Sequence, residues 1–366
     1  MPEINEKKEP LNKNNKVPKL RFYSFSNEWQ ELRIGDILKI FNGKDQKKIE
    51  CESGQYNIYG TGGIIGHTNE YIYDKESVGI GRKGTIDKPF YFDKPFWTVD
   101  TLFWSKIKKG NVAKYIYYLF QTIDWKKLNQ STGVPSLTSH VIEHKKITIP
   151  TEIEQKYISQ FLTFIDDKIT VLESKILTLK KYKKGLCNFM FEDAKNSDIH
   201  LYDLVENNPS QLLTKDIDKN VGPYPVYDAT GKVFKNVNFY QQVQDSVSII
   251  KYGSGCGRTF VSRGYHSILG TMTDLIPLNN DDVPFIYAFT LSRMFRKIVK
   301  KYTEIGTTPN LYYSDYSNAS IPLKSLSNKE KISKIIVNIE EKEYALEEQL
   351  TQLNNLKKHL LNSLFI

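Results

Sequence analysis

Two histidines, His140 and His144, stand four residues apart, a spacing that puts both imidazoles on one face of a helix, as a metal site requires. Val141, and not an acid, follows the first of them, so the stretch is no H-E-x-x-H arrangement; they read as solvated or nucleic-acid-facing histidines, and no metal site is expected. Glycine runs at 60–66 (GTGGIIG) and 253–257 (GSGCG) have the look of phosphate cradles. Neither continues as G-x-x-x-x-G-K-[ST], and neither sits in a strand-loop-helix context with a distal acid, so turns needing positive φ are expected. No Ser/His/Asp set, paired carboxylate or Cys/His pair stands out, and no catalytic residue is expected. Cys51, Cys187 and Cys256 are far apart and odd in number, which suggests neither a zinc ribbon nor a disulfide framework and fits a reducing cytoplasm.

Binding chemistry is better represented. Beside the glycines lie Arg82, Lys83 and Lys88 in GRKGTIDKPF, and Lys251, Arg258 and Arg263 in IIKYGSGCGRTFVSRG. Small residues let a backbone approach phosphate closely, while Lys and Arg neutralise its charge. Ser131-Thr132-Gly133 and Thr307-Thr308-Pro309-Asn310 add hydroxyl and amide groups able to read base edges. The full candidate set is Lys44, Gly63, His67, Arg82, Lys83, Thr85, Lys88, Ser131 and Thr132 in the first half of the chain. In the second half it is Lys232, Lys251, Ser254, Arg258, Arg263, Thr307, Thr308 and Asn310. A basic helical face follows with Arg293, Arg296, Lys297, Lys300 and Lys301. Any one such cluster is commonly a solvated face; recurrence in both halves is what favours a polyanion.

The elements that must carry these loops are written twice. Between 158 and 190 the apolar positions are Ile158, Leu162, Ile165, Ile169, Leu172, Ile176, Leu179, Leu186 and Met190, stepping by four and three, with Lys183 at the skipped seam position. The same rhythm returns as Ile332, Ile336, Ile339, Leu346, Leu350, Leu353, Leu360 and Leu364, with Glu343 and Lys357 skipped. A constant offset of 174 residues carries Ile158 onto Ile332, Lys183 onto Lys357 and Met190 onto Leu364. A sustained 3.5-residue period marks a coiled-coil seam. The preceding stretches repeat less closely: YNIYGTGG at 56–63 and YPVYDATG at 224–231, STGVPSL at 131–137 and IGTTPNL at 305–311. The strand-like strings ITIP and ASIP end at Pro150 and Pro322, each just before its long helix. Strands are expected at 56–59 and 98–104, and amphipathic helices at 111–128 and 283–301.

The organisation read from this is a mobile tail at 1–18, an α+β domain at 19–150, a long helix at 151–193, a second α+β domain at 194–325 and a second long helix at 326–366. The chain has 366 residues, 40% hydrophobic and 13% aromatic, enough for real cores and against a wholly disordered protein. No run approaches the length of a membrane helix, and the first residues have no apolar leader, so neither a membrane role nor secretion is expected. The net charge of +9 (51 Lys and Arg against 42 Asp and Glu) leans toward a polyanionic partner, though many soluble proteins carry as much. If the long helices pack antiparallel about midpoints near 174 and 348, Lys183 falls beside Ile339 and Glu343, and an ion pair would offset both breaks in the seam. Otherwise both lysines sit where the seam opens and snorkel to water.

Two α+β units, each followed by a heptad-bearing helix, resemble the specificity subunit of type I restriction-modification systems. KVPKLRF at 16–22, NEW at 27–29 and LRIGDI at 32–37 are similar to that family's approach to its first recognition domain. GVPSLTSHVIEHKKITIP and TEIEQKYI, residues 133–158, are similar to its exit into the first helix, including the Glu154-Gln155 pair. In the second copy TEIEQKYI gives way to KSLSNKEKI at 324–332, losing that pair. The resemblance implies a chain without catalysis of its own, each domain reading one half of a split asymmetric target in double-stranded DNA. The helices would pair as an antiparallel spacer and dock two adenine-N6 methyltransferase subunits, which use S-adenosylmethionine. Motor-nuclease subunits using ATP and Mg would complete the complex, and this chain itself would bind no cofactor. Two other readings stand beside it: an adaptor with two protein-binding domains on a coiled-coil stalk, and a glycine-loop nucleotide enzyme.

Overall fold

A computed structural model describes residues 4–6, 17–192, 198–217, 221–303 and 309–366. The chain divides into two compact units, Met1–Val171 with Leu350–Ile366, and Leu172–Gln349. Each therefore contains one α+β domain and a stretch of both long helices, Glu152–Met190 and Lys329–Leu364.

In the first unit a four-stranded antiparallel sheet runs in the order Leu38–Phe41, Leu102–Ile107, Ser77–Gly81, Phe90–Phe92. A three-stranded sheet has the order Gly63–Thr68, Tyr56–Gly60, Phe96–Thr98, its last pair parallel. The central strand SVGIG is buried along its whole length, as a strand covered on both faces must be. The helix Ala113–Thr122 lays Tyr115, Ile116 and Leu119 into a core that also holds Trp29, Ile34, Phe103 and Trp125. That core extends onto the long helices through Ile158, Leu162 and Leu364.

The second unit repeats this plan. Its four-stranded sheet is ordered Val205–Pro209, Met272–Pro277, Ser246–Ile250, Thr259–Ser262, and its three-stranded sheet Val233–Val237, Tyr224–Tyr227, Ser267–Ile268, again with a parallel last pair. Helices Val283–Leu291 and Arg293–Thr303 cover the four-stranded sheet through Phe285, Ile286, Phe289 and Phe295.

The long helices pack as an antiparallel pair. In the second unit Lys183 Nζ lies 2.8 Å from Glu343 Oε2 and 3.6 Å from Glu340, and Lys180 bonds Glu347 at 2.7 Å. In the first unit Lys357 Nζ lies 2.7 Å from Asp166. Partners descend along one helix as they ascend along the other, which only an antiparallel pair allows. Ile158, Leu162, Ile165, Ile176, Ile332, Ile336 and Ile339 are buried, and Ile169, Leu172, Leu179, Leu346, Leu350 and Leu353 are half-buried. Neither seam lysine snorkels to open water. Burial works against the Lys183 ammonium, but Tyr287 and the carboxylates of Glu343 and Glu340 outweigh it and hold the group above its ordinary value.

Several expected boundaries shift. The stretch 98–104 is two strands, because a turn at Asp100 and Thr101 ends Phe96–Thr98 before Leu102–Ile107 begins. The helix expected at 111–128 stops at Thr122 and resumes as a single 3-10 turn, Trp125–Leu128, capped by the Asp124 carboxylate. The one at 283–301 is broken at Ser292, whose extended backbone ends the first piece while its hydroxyl accepts from Phe295 N–H to start the second. ASIP is no strand beyond one bridge of Ser320 to His200, and Pro322 leads into a short helix, Leu323–Ser327, before the long one. Of the tail expected at 1–18, Ile4–Glu6 forms a strand antiparallel to Leu20–Phe22. The residues around it, 1–3 and 7–16, lie outside the described ones.

Candidate nucleic-acid interface

The glycine-rich loops and the polar loops, far apart in sequence, meet in both units through the same main-chain bonds. In the first, Arg82 N–H donates to Thr101 O at 2.7 Å, Leu137 N–H to Arg82 O at 2.9 Å and Gly84 N–H to Pro135 O at 2.9 Å. Lys83 bridges Ser136. In the second, Lys251 N–H donates to Thr271 O at 2.8 Å, Leu311 N–H to Lys251 O at 2.9 Å and Gly253 N–H to Pro309 O at 3.1 Å, and Tyr252 bridges Asn310. Arg82 and Lys251 are thus the same position in two copies.

Around this junction the first unit groups Arg82, Lys83 and Thr85 with Ser131 and Thr132, the latter in a loop shaped by Asn129, whose side chain accepts from Ser131 and Ser136 N–H. The second unit groups Lys251, Ser254 and Arg258 with Asn310. Thr307 and Thr308 lie outside the described residues. Lys83, Lys88, Thr132, Ser254, Arg258 and Asn310 are exposed, while Arg82, Thr85, Ser131 and Lys251 are half-buried. Gly84, Gly253 and Gly257 adopt positive φ, the turn role expected of the glycine run in the second copy.

Other candidates sit apart from the junction. Gly63, with φ of 124°, and exposed His67 lie on the hairpin arm Gly63–Thr68 of the three-stranded sheet. Lys232 lies in the matching hairpin turn, where its carbonyl accepts from Asp228 N–H. Lys44 is exposed beside the end of the Phe96–Thr98 strand, its N–H bonded to Thr98 O. Arg263 departs most from expectation. It pairs with Asp245 at 3.0 Å and Glu340 at 3.7 Å, drawn toward the Lys329–Leu364 helix by two carboxylates, and does not join the loop of Lys251 and Arg258. His140 and His144 share a helix face with rings 3.8 Å apart, and His144 Nδ1 is bonded to the His140 carbonyl. Among the described residues no cluster of three or more His, Cys, Asp or Glu could hold a metal, and no helix is long and apolar enough to cross a membrane.

The Glu154-Gln155 pair fixes the start of the first long helix. Both residues are buried. Glu154 takes a bidentate bond from Arg21, both contacts at 2.8 Å, and one from Trp29 Nε1; Gln155 accepts from Val112 N–H and donates to Pro150 O. The strings at 16–22, 27–29 and 151–158 therefore converge on one anchor. The second copy replaces it with Lys329 paired to Asp282 at 2.8 Å and with Ser325 Oγ donating to Met190 O.

Sequence reasoning missed Asp166 and Glu340. They are related by the same 174-residue offset as the lysines they pair with, a signal that was available in the sequence. Each lysine also lies over a tyrosine of its own unit, Lys183 over Tyr287 at 5.5 Å and Lys357 over Tyr118 at 5.8 Å.

A duplicated α+β unit whose basic and polar loops are held at one junction presents cations and hydroxyls together on each domain. The family described as Type I restriction modification DNA specificity domain matches residues 26–181 and again 195–356, and the chain belongs to it. The MjaVIII type I restriction enzyme specificity subunit of Methanocaldococcus jannaschii is 27% identical over 180 residues, 45% of this chain and 42% of that protein, so the match spans less than half of the relative's length. In structure the chain is similar to the S subunit of a type I restriction-modification system from M. genitalium, with a TM-score of 0.69 and 19% identity over 96% of this chain and 99% of the other.

Proposed function

We propose that this chain is the DNA-specificity component of a type I restriction-modification complex and performs no chemistry itself. Each domain reads one half of a bipartite, asymmetric target in duplex DNA. The paired helices set the gap between halves and dock two adenine-N6 methyltransferase subunits. Those subunits would use S-adenosylmethionine, and motor-nuclease subunits would use ATP and Mg; this chain would bind none of these.

The observation that carries the reading is the repeated junction, in which Arg82 with its polar loop and Lys251 with its own are held by matching main-chain bonds. A backbone fixed in this way presents cations and hydroxyls at defined places, so phosphate contact can set the register while neighbouring groups read bases. Two readers on one chain gain affinity from effective concentration without further contacts. The test is to map methylated adenines across the native genome with and without this chain. Loss of one bipartite motif on deletion is expected; an unchanged set of motifs, with partner genes intact, would overturn the proposal.

A further inference from the structure

The cations at the two junctions differ in setting. Lys83 and Arg258 are exposed, and Arg258 turns Nε–H to the Gly255 carbonyl at 3.4 Å while the rest of its guanidinium stays open to a phosphate. Arg82 and Lys251 are half-buried, and their main chains are tied on both sides, Arg82 to Thr101 and Leu137, Lys251 to Thr271 and Leu311, with Cys256 Sγ also donating to Lys251 O at 3.0 Å. Neither has a carboxylate partner among the described residues. Arg82 spends one guanidinium N–H on the Asp100 carbonyl at 3.2 Å. Burial alone holds the Lys251 ammonium below its ordinary value. Lys251 lines a groove of about 480 Å³ whose other walls include Gln211, Leu213, Thr214, Tyr252 and Thr271, and its Nζ lies 5.5 Å from the centre of the Tyr252 ring, which is itself 41% exposed.

A partly desolvated cation without a counter-ion calls for an acceptor from outside. A fixed backbone gives its side chain direction at little entropic cost. Both features suit recognition of one base edge rather than diffuse phosphate attraction, and the edge that pairs best with Arg or Lys is the O6/N7 face of guanine in the major groove.

We propose that Arg82 and Lys251 are the equivalent specificity-determining residues of the two domains, each reading a guanine in its own half-site, while Lys83 and Arg258 hold phosphates. The proposal rests on the DNA reading above and deepens it. The complex that the full-length chain forms, purified from its native host, is used to select from a duplex library randomised over two helical turns, and the winners are titrated against salt. Arg82→Gln is expected to relax one guanine position in one half-site, and Lys251→Gln one in the other. Each should lose roughly five- to 150-fold in discrimination there, the range one good base contact supplies. Lys83→Gln and Arg258→Gln should instead weaken all sequences alike and lower the salt slope by about 0.9 per charge. Unchanged thermal midpoints would show that the variants fold. If Arg82→Gln and Lys251→Gln weaken all sequences alike, or leave every base preference intact, the assignment is overturned. If the unmutated complex enriches no sequence at all, the DNA reading fails first and this inference with it.

Discussion

In the first unit Phe92, Phe96 and Trp104 form a buried aromatic cluster beside Gly79, with Phe92 and Phe96 stacked 3.9 Å apart. The strand registers carry these four positions onto Ser248, Ser262, His266 and Asp274 in the second unit, where the same space holds a buried polar network. Asp274 Oδ1 accepts from Ser248 at 2.6 Å and Ser246 at 2.9 Å, Oδ2 faces His266 Nε2 at 3.3 Å, and His266 Nδ1 is bonded to the Gly264 carbonyl at 2.8 Å. Strand pairings and junction bonds are nevertheless shared. The ladders fix the backbone, so what fills the gap is free to change while the loops stay where they are. The two fillings should fail differently, because an aromatic cluster tolerates reshaping while a polar network loses much when one member goes.

The largest contrast is therefore expected at this cluster. Asp274→Ala leaves two buried serine hydroxyls without their acceptor and takes away the carboxylate that faces His266, and should cost about 3–5 kcal/mol in urea unfolding. Phe92→Leu, within the first unit's cluster at the position that matches Ser262, should cost roughly 1 kcal/mol. Equal losses would contradict the distinction. The stalk gives a second contrast. Lys183 and Glu343 have side chains 10% and 14% exposed, and Lys357 and Asp166 have 19% and 24%. Lys183→Ala removes the cation shared by two half-buried carboxylates, leaving Glu343 only Lys180 at 3.4 Å and Glu340 only Arg263 at 3.7 Å, and should cost about 2–3 kcal/mol, whereas Lys357→Ala, facing a better-solvated acid, should cost about 1 kcal/mol. Thermal or urea midpoints of both variants check the order. At the junctions, Gly257 has φ of 79° and a Cβ there would meet Val299 Cγ1 at 2.2 Å, while Gly84 has φ of 89° with only Thr61 Oγ1 within reach, at 3.5 Å. Gly257→Ala combines strain with overpacking, about 2–3 kcal/mol, and Gly84→Ala bears the conformational strain alone, about 1 kcal/mol. A larger loss for Gly84→Ala would mean that the second junction is the more pliant of the two.

Much of this comparison was legible in the residues. A seam repeats without help from tertiary structure, so Ile158 through Leu353, the lysine breaks and the Lys183–Glu343 pairing follow from period and offset. The meeting of each glycine-rich loop with its polar loop was suggested only by recurrence; the bonds of Arg82 to Leu137 and Lys251 to Leu311 depend on strand register, which periodicity does not give. The network of Ser246, Ser248, Ser262, His266 and Asp274 was invisible for the same reason, since ladder pairing alone brings residues 26 or 28 apart together. Arg263 looked like part of a basic loop because sequence proximity hides direction: its strand carries it toward Asp245 and Glu340. Helix breaks at Ser292 and before Lys329 were missed because a serine cap and a one-residue interruption leave hydrophobic periodicity almost unchanged.

The central claim is that both units read DNA. It is tested by titrating the complex of the full-length chain with duplexes carrying the whole methylation motif, its first half alone or its second half alone. Each half should bind measurably and about 100-fold or more weaker than the whole, as expected when two sites share one chain. A single half binding as tightly as the whole, with the other half inert, would contradict the claim.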